Sequence, residues 1–551
     1  MRARSRLSCW LPLALLCSTW SCGSSSQHPE PPAPEPRVGA TRPLARSAAQ
    51  DQADRSESQL AAKAKTPSAA EGPADGSAAD PTSAAPPPPE KEEGPRIGAT
   101  GLHVWIMPRP RSRGLALGNL RLGTSVRLKS PDPIRGEGCG RGWMAIEPRG
   151  YVCAGRRTTT DLDDPYYRAL HAVAPKPGAL FPYHYAHSRG APMYSRVPTP
   201  KEWAKAEQRL GPPGTYAELG EWAKGHEELI EKDEKIVATD PVPWFFEGGK
   251  RHVGGGSRSV LRLVWKVIPN GSMLAYARAF EMHDRVWLVT ADLTVVPADR
   301  VQVMRRSTFR GVELGSEVSL PLAWNRSLEP RPLYRMTEEG TFVESGKTWA
   351  GKQWQMIDKD RAGTAKDRYW QLRKRPGLYV RGKHATFTWP REKLPQAIKA
   401  DERWVDARIN PGTITVYEGL TPIYATLFSP GKGGPSVPGL DPTKYATTET
   451  GYFRFEWKER VATMSNEKGD PKVLWFSDVP HIQYVRAPLA MHVAYWHEDF
   501  SNRKSAECLN LSPHDGRKLF ELTDPPLPEG WGAVRPGGGN GRSTAIIING
   551  N

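Results

Sequence analysis

Residues 505–520 read SAECLNLSPHDGRKLF and combine a cysteine with a well-marked helix start. Ser512 is expected to cap this helix, Pro513 suits its first position, and Asp515 brings a negative charge to its first turn. Cys508 is therefore predicted to lie a few residues before a helix. A cysteine in such a place is either buried and inert or retained for its reactivity.

The segments around this stretch alternate between apolar and polar side chains, as β-strands do. The landmarks, in chain order, are ITVYEG (414–419), TTETGYFRF (447–455), MHVAYWHEDF (491–500), residues 505–510 and LFELTDPPLPEGW (519–531). Together they resemble the catalytic domain of the YkuD-type L,D-transpeptidases. The resemblance spans residues 401–551 and implies a β-sandwich-like domain.

Enzymes of that family cross-link peptidoglycan through a cysteine thioester. A thiolate attacks a stem-peptide carbonyl, terminal D-Ala leaves, and an acceptor amine resolves the thioester. The resemblance implies that Cys508 is the nucleophile and His492 the general base, because imidazole accepts protons near neutral pH. It also implies substrate and oxyanion support from Ser505, Glu507 and Asn510, with backbone N–H donors around Glu507 and Cys508.

The loop departs from the family pattern Ser-His-Gly-Cys, because Ala506 replaces the histidine and Glu507 replaces the glycine. Glycine allows backbone conformations and close substrate approach that a side chain hinders. A carboxylate beside the sulfur also disfavours the thiolate. Val493 stands where the family has a glycine after His492. Two other classes stay open: a catalytically weak or inactive homologue that binds peptidoglycan or scaffolds envelope partners, and a cysteine hydrolase.

The histidines do not indicate a metal site. His492 and His497 lack the H-E-x-x-H arrangement, and no ligand cluster accompanies them. We therefore expect no metal and no cofactor. His497 is expected at the surface or at the edge of the core.

The N-terminal segment 1–22 indicates export, because a basic start is followed by a short apolar run. Its end resembles a bacterial lipoprotein signal, which implies lipidation at Cys22, with Cys17 a weaker candidate. Simple signal cleavage, leaving a soluble periplasmic protein, is the alternative. Residues 23–95 are rich in Pro and Ala and poor in large apolar residues, so they are predicted to be a disordered tether.

Cys139 and Cys153 lie in a loop-rich, β-like segment and are most simply a disulfide in an oxidising compartment. The surrounding residues 96–165 contain LHVWIMPRP, GWMAIEP and GYVCAG, which read as short strands. This rhythm resembles the bacterial Src-homology-three-like modules of cell-wall proteins. The resemblance implies a small β-barrel.

A related hairpin pattern starts at Trp143, Trp287 and Trp370, each followed by a polar turn and a valine. It predicts either repeated small β-modules or three unrelated antiparallel hairpins. KEWAKAEQRL (201–210) and YAELGEWAKGHEELIEKDEK (216–235) have helical periodicity. Residues 166–400 are thus expected to form a β-rich middle region with surface helices. The whole chain is predicted to be mainly β and multi-domain, with a mixed α+β middle region.

The chain carries a formal net charge of +16, with Lys and Arg dispersed beyond residue 96. No nucleic-acid motif is present, and an exported protein does not normally meet nucleic acid. The basic surface either favours the anionic bacterial envelope or is merely solvated. We expect a periplasm-facing, membrane-anchored lipoprotein whose partners are peptidoglycan stem peptides and the envelope membrane.

Overall fold

The computed structural model describes residues 94–176, 178–210, 228–231, 233–253, 262–465 and 474–551. The signal segment, Cys22 and the tether up to residue 93 lie outside the described residues, so these remain predictions. Most of the helix predicted over 216–235 also lies outside them. At its described end, Ile230–Glu231 forms a strand.

The described chain is mainly β, as predicted from its many short alternating segments. The strands before residue 400 are β1 Arg96–Ala99, β2 His103–Met107, β3 Gly118–Arg121, β4 Ser125–Arg127, β5 Trp143–Ala145, β6 Tyr151–Cys153, β7 Thr158–Thr159, β8 His184–Ser188, β9 Pro192–Tyr194, β10 Ile230–Glu231, β11 Val264–Val267, β12 Met273–Tyr276, β13 Arg278–Met282, β14 Arg285–Val289, β15 Val295–Pro297, β16 Val301–Met304, β17 Val312–Glu313, β18 Leu322–Trp324, β19 Arg331–Met336, β20 Phe342–Trp349, β21 Trp354–Gly363, β22 Arg368–Leu372, β23 Arg375–Arg381 and β24 Thr386–Thr388. The strands after it are β25 Arg403–Arg408, β26 Thr413–Glu418, β27 Thr421–Leu427, β28 Gly434–Pro435, β29 Thr447–Thr448, β30 Gly451–Arg454, β31 Trp457–Ser465, β32 Trp475–Arg486, β33 Leu489–Val493, β34 Leu509–Leu511, β35 Ala533–Val534 and β36 Ala545–Asn549.

The described helices are short: α1 Pro165–Ala172, α2 Pro200–Glu207, α3 Pro442–Tyr445 and α4 Pro513–Leu522. The predictions of α2 and α4 are confirmed. The side chain of Ser512 caps α4 by accepting a hydrogen bond from the backbone N–H of Asp515 at 3.1 Å. None of the described helices has the length and apolar character needed to cross a membrane.

The N-terminal strands β1–β7 form as predicted, but the expected closed barrel is wrong. Strand β1 pairs with β4 and β7 in one sheet, whereas β2, β3, β5 and β6 belong to another. The outer edge of β3 pairs with β35. Trp531 and Val534 pack into the same apolar cluster as Ile106 and Leu120. A segment from the far end of the chain therefore completes this core and occupies the edge that closure would need.

The three tryptophan hairpins predicted from the sequence are confirmed. They are β5–β6, β14–β15 and β22–β23, and each is antiparallel. The second belongs to a five-stranded sheet ordered β11-β9-β15-β14-β13, and the third to a seven-stranded sheet ordered β20-β19-β23-β22-β21-β18-β24. The hairpins thus lie in three different sheets, which does not decide between repeated modules and unrelated hairpins.

The C-terminal residues form two facing layers. One is a six-stranded sheet ordered β17-β27-β26-β25-β36-β30, and the other contains β31 to β34. Apolar side chains of both layers and of α4 meet between them, and we call this cluster the sandwich core; it includes Val405, Val416, Met491, Leu511 and Leu519. This is the predicted sandwich-like arrangement.

The sheet that contains β31 to β34 extends into the other two regions. In the described residues it has 13 strands, because β12 pairs in parallel with β32 and β35 bridges β31 to β3. Arg121 of β3 and Asp478 of β32 form an ion pair in which each side chain is 7% exposed. The Arg121 guanidinium also donates to the carbonyl of Val461 at 3.1 Å. The domain boundaries at 165 and 400 stay predictions, since strand pairing crosses both.

The disulfide between Cys139 and Cys153 is confirmed, with the two Cα atoms 5.7 Å apart. Its cysteines lie beside Trp143 and Met107 in a small apolar cluster. Disulfides form and persist in oxidising compartments, so the bond indicates an exported protein. Cys508 carries a thiol outside this bond and is half-buried.

Candidate active site

The sequence-predicted site residues meet on two neighbouring strands. Strands β33 and β34 are parallel, and His492 lies directly beside Asn510. Cys508 immediately precedes β34 and contacts the same apolar cluster as Ala490, whereas Leu509 points into the sandwich core. Because side chains alternate along a strand, Ala490 and His492 share the face away from the sandwich core. The structure therefore brings Cys508, His492 and Asn510 together on that face.

His492 is held in a defined orientation. Its Nδ1 atom lies 3.0 Å from the carbonyl oxygen of Val493, which can only accept a hydrogen bond. Donation from Nδ1–H fixes the neutral tautomer and leaves Nε2 as the proton acceptor. The ring lies 5.9 Å from the Trp496 ring, and the residue is 3% exposed. The imidazole is thus held in one orientation, in a site with little access to water.

The side chain of Val493 packs closely against α4, because the helix has a glycine, Gly516, at the point of contact. A Cβ atom built on Gly516 would lie 2.3 Å from Cγ2 of Val493. Only a glycine allows the helix to approach so closely. The valine after His492 is therefore accommodated by packing against α4.

The loop before β34 is fixed by two hydroxyl groups. Ser505 Oγ donates to the carbonyl oxygen of Cys508, and Thr448 Oγ1 donates to that of Glu507 at 2.7 Å. In a trans peptide the N–H points opposite to the C=O. The N–H of Cys508 is therefore directed away from Thr448. The Cys508 sulfur lies 3.7 Å from the carbonyl oxygen of Pro488.

Glu507 is buried beneath the loop that carries α3. Its carboxyl group accepts a hydrogen bond from Thr443 Oγ1 at 3.4 Å, and the residue is 6% exposed. Burial, followed by the nearby charge of Glu449, raises the pKa of Glu507 to about 7, although Thr443 and Arg486 act in the opposite direction. Glu507 is not among the described residues with a positive φ angle. A side chain is therefore tolerated at this position without backbone strain, and the carboxyl group is partly neutral at pH 7.

We predict that Glu507 makes stability depend on pH. Its pKa is raised from 4.5 to about 7, so between these values the folded chain holds a proton that the unfolded chain has lost. The free energy of unfolding should therefore fall by roughly 3 kcal/mol as pH rises through this window. Urea denaturation between pH 4.5 and 7.5 should show a shallower fall for Glu507→Gln. The exposed Glu338→Gln is the matched control, and equal slopes for the natural protein and Glu507→Gln would contradict the prediction.

Asn510 connects the site to a second histidine. Its Nδ2 atom lies 3.1 Å from Nε2 of His497, and its backbone pairs with Ser429 in both directions. His497 is 0% exposed. The expectation of a surface or core-edge His497 is therefore wrong, because its ring is enclosed beside Phe500 and Trp496.

Aromatic side chains from distant strands cover this face, and no local sequence signal points to them. The ring of Tyr185, from β8, stacks on Tyr495 at 3.8 Å between centroids, and its hydroxyl donates to the backbone of Asp478. Met273 belongs to the same cluster, and Phe476 lies 4.3 Å from Trp496. We call Tyr185, Tyr495, Phe476 and Trp496 the aromatic cover. The pairing of β12 with β32 positions it, and no local pattern reveals that pairing.

Comparison with known proteins gives matches at the level of structure. No protein-family profile matches the sequence, and no curated protein matches it. One similar structure is the NMR structure of the catalytic domain from E. faecium L,D-transpeptidase, at 17% identity and a TM-score of 0.20, covering 27% of this chain and 97% of that one. Another is the L,D-transpeptidase from Mycobacterium smegmatis, at 17% identity and 0.20, covering 40% and 76%. A third is Mycobacterium tuberculosis L,D-transpeptidase 1, at 17% identity and 0.18, covering 44% and 99%. TM-scores this low carry no conclusion about this chain.

Proposed function

We propose that this protein is a cell-envelope member of the L,D-transpeptidase family that acts on peptidoglycan stem peptides through a thioester on Cys508. The observation that supports this best is the convergence of Cys508 and His492 on one face of parallel neighbours β33 and β34. The orientation of the imidazole, with Nε2 as the acceptor, supports it further.

The proposed reaction needs only groups of this chain and two peptides. His492 Nε2 takes the thiol proton, and the thiolate of Cys508 attacks the carbonyl that precedes terminal D-Ala. The C–N bond breaks, the amine of D-Ala leaves with the proton from the imidazolium, and a thioester remains. An acceptor amine then forms a new amide, and the thiol is regenerated. The N–H groups of Glu507 and Cys508 would stabilise the oxyanion, while Ser505 and Asn510 hold the loop and the strand in place.

The burial of the site favours a second candidate, a weakly active or inactive homologue that binds peptidoglycan. His492 is 3% exposed beneath the aromatic cover, and Glu507 fills the position of the family glycine. A substrate would have to enter beside Cys508, which is half-buried. Both candidates place the chain at the peptidoglycan.

Imipenem, a carbapenem that acylates nucleophiles of this family, separates the two candidates. Intact mass measurement of the full chain should show a slowly formed adduct of one imipenem, and Cys508→Ala should abolish it. Cys139 and Cys153 provide an internal control, since the disulfide withholds them from acylation. An adduct that persists in Cys508→Ala and maps to a residue after Cys22 would overturn the proposed nucleophile, and no adduct at all would favour the binding homologue.

Location and anchoring complete the proposal. Lipidation at Cys22 would tether the protein to an envelope membrane, and residues 23–95 would hold the folded part near the cell wall. The net charge of +16 would favour attraction to anionic envelope polymers.

A further inference from the structure

A cavity of about 620 Å³ lies where the end of β32, the end of β30 and the residues after β35 meet. Three arginines, Arg454, Arg486 and Arg535, line it together with a single acidic residue, Glu456. Its apolar wall comprises Leu115, Phe453, Phe455, Val485 and Pro536. Arginine side chains that line an open pocket together with apolar residues are typical of sites for small anionic molecules.

Arg535 has hydrogen-bonding capacity that the protein does not use. Its Nε atom is buried and has no hydrogen-bond partner among the described residues. The guanidinium lies 5.1 Å from the centre of the Trp457 ring, and burial lowers the pKa of Arg535 although Glu456 acts in the opposite direction. Its backbone N–H donates to Leu117 at 2.7 Å, which fixes its position. A buried N–H of this kind calls for an acceptor.

Arg454 and Arg486 are oriented by acids outside the cavity wall. Arg454 pairs with Glu402 and donates to the carbonyl of Ser543, and Arg486 pairs with Glu449. These ion pairs hold the guanidinium groups in place and leave each with further N–H donors, since guanidinium has five. The cavity is therefore lined by guanidinium groups that are held in place.

Arg486 also connects the cavity to the loop of the candidate site. Its charge acts on Glu507, which immediately precedes Cys508. Pro488, two residues after Arg486, has its carbonyl oxygen 3.7 Å from the Cys508 sulfur. Arg486 therefore lies two residues along the chain from a residue that contacts the thiol.

We propose that this cavity binds a carboxylate-bearing peptide, with Arg535, Arg486 and Arg454 holding its carboxylates and Glu456 holding an amine. The apolar wall favours a peptide over a small inorganic anion, because it can bury side-chain carbons. This inference rests on the proposed function for its ligand class, since a stem peptide combines carboxylates with an amine. The cavity would then hold one of the peptides close to Cys508.

Calorimetric titration of the full chain carrying Cys508→Ala, which prevents turnover, tests the inference. The probes are the tetrapeptide L-Ala-γ-D-Glu-L-Lys-D-Ala and the same peptide with both carboxylates converted to amides. We expect the amide to bind about tenfold more weakly, and Arg535→Gln to weaken binding of the tetrapeptide about tenfold. Arg361→Gln, which removes the same charge from an exposed position of β21, should leave the dissociation constant unchanged.

Equal affinity for both peptides, or an equal loss of affinity in Arg535→Gln and Arg361→Gln, would contradict the proposal that this cavity binds the peptide. Because Arg535 packs on Trp457, the amidated peptide provides a measurement that does not depend on how well the variant folds. The proposed reaction fails in a different way. If binding depends on the carboxylates and on Arg535 but imipenem forms no adduct on Cys508, the proposed reaction is wrong and the proposed peptide binding in the cavity is supported.

Discussion

Replacing Ala506 by His and Glu507 by Gly together is expected to speed acylation of Cys508 by imipenem about 100-fold. Ala506 is exposed, so an imidazole can be added there without repacking the core. Removing the Glu507 side chain takes away a carboxylate on the residue that directly precedes Cys508 and leaves a glycine there, which allows closer approach of a substrate. Each change should contribute about tenfold, measured as the rate of adduct formation by mass spectrometry.

The pH dependence of this gain isolates the contribution of the carboxylate. The pKa of Glu507 is raised to about 7, so its charge is mostly absent at pH 6 and mostly present at pH 8. The ratio of the double variant's rate to the natural rate should therefore be larger at pH 8 than at pH 6.

Two control variants complete the test. Ala365→His places an imidazole at another exposed alanine and should not change the rate, and Cys508→Ala in the double variant should give no adduct. A natural protein that reacts as fast as the double variant would contradict this account of the loop. If neither protein forms an adduct, and Cys508→Ala has no effect in cells, the loop is a remnant and the domain works by binding.

Breaking the ion pair between Arg121 and Asp478 is expected to cost about 3–5 kcal/mol of unfolding free energy. Each side chain is 7% exposed, so Arg121→Ala or Asp478→Ala leaves the other charge buried without its partner. Chemical denaturation of the full chain measures the loss. The double variant Arg121→Met with Asp478→Leu should cost less than either single change, because it removes both charges.

The exposed ion pair of Arg113 with Glu137 is the matched control. Its side chains are 80% and 58% exposed, so Arg113→Ala should change stability by less than about 1 kcal/mol. A loss in Arg121→Ala no greater than that in Arg113→Ala would show that the pair between β3 and β32 does not stabilise the fold.

Local sequence signals predicted local structure well. The series Ser512, Pro513 and Asp515 identified the start of α4, and Cys139 and Cys153 identified the disulfide. These features depend on neighbouring residues or on a count of cysteines. The tryptophan hairpins could also be predicted from the sequence, because a hairpin is encoded by two alternating segments and the turn between them.

Contacts between distant segments could not be predicted. Arg121 and Asp478 are 357 residues apart, and neither has a neighbour that signals its partner. The aromatic cover over His492 depends on a parallel pairing between β12 and β32, and strand periodicity does not specify a partner. The expected barrel was wrong for the same reason, because the sequence of β3 does not show that β35 occupies its edge. The residues of the candidate site were recognisable, whereas their burial was not.

The pairing of β3 with β35 also constrains the order of folding. A chain emerges from the ribosome N-terminus first, so β1–β7 are synthesised long before Trp531 and Val534, which complete their core. Until then the nascent module has an open strand edge and an incomplete apolar interior, both of which promote aggregation. The N-terminal strands therefore cannot complete their native packing until the chain has been made as far as residue 534.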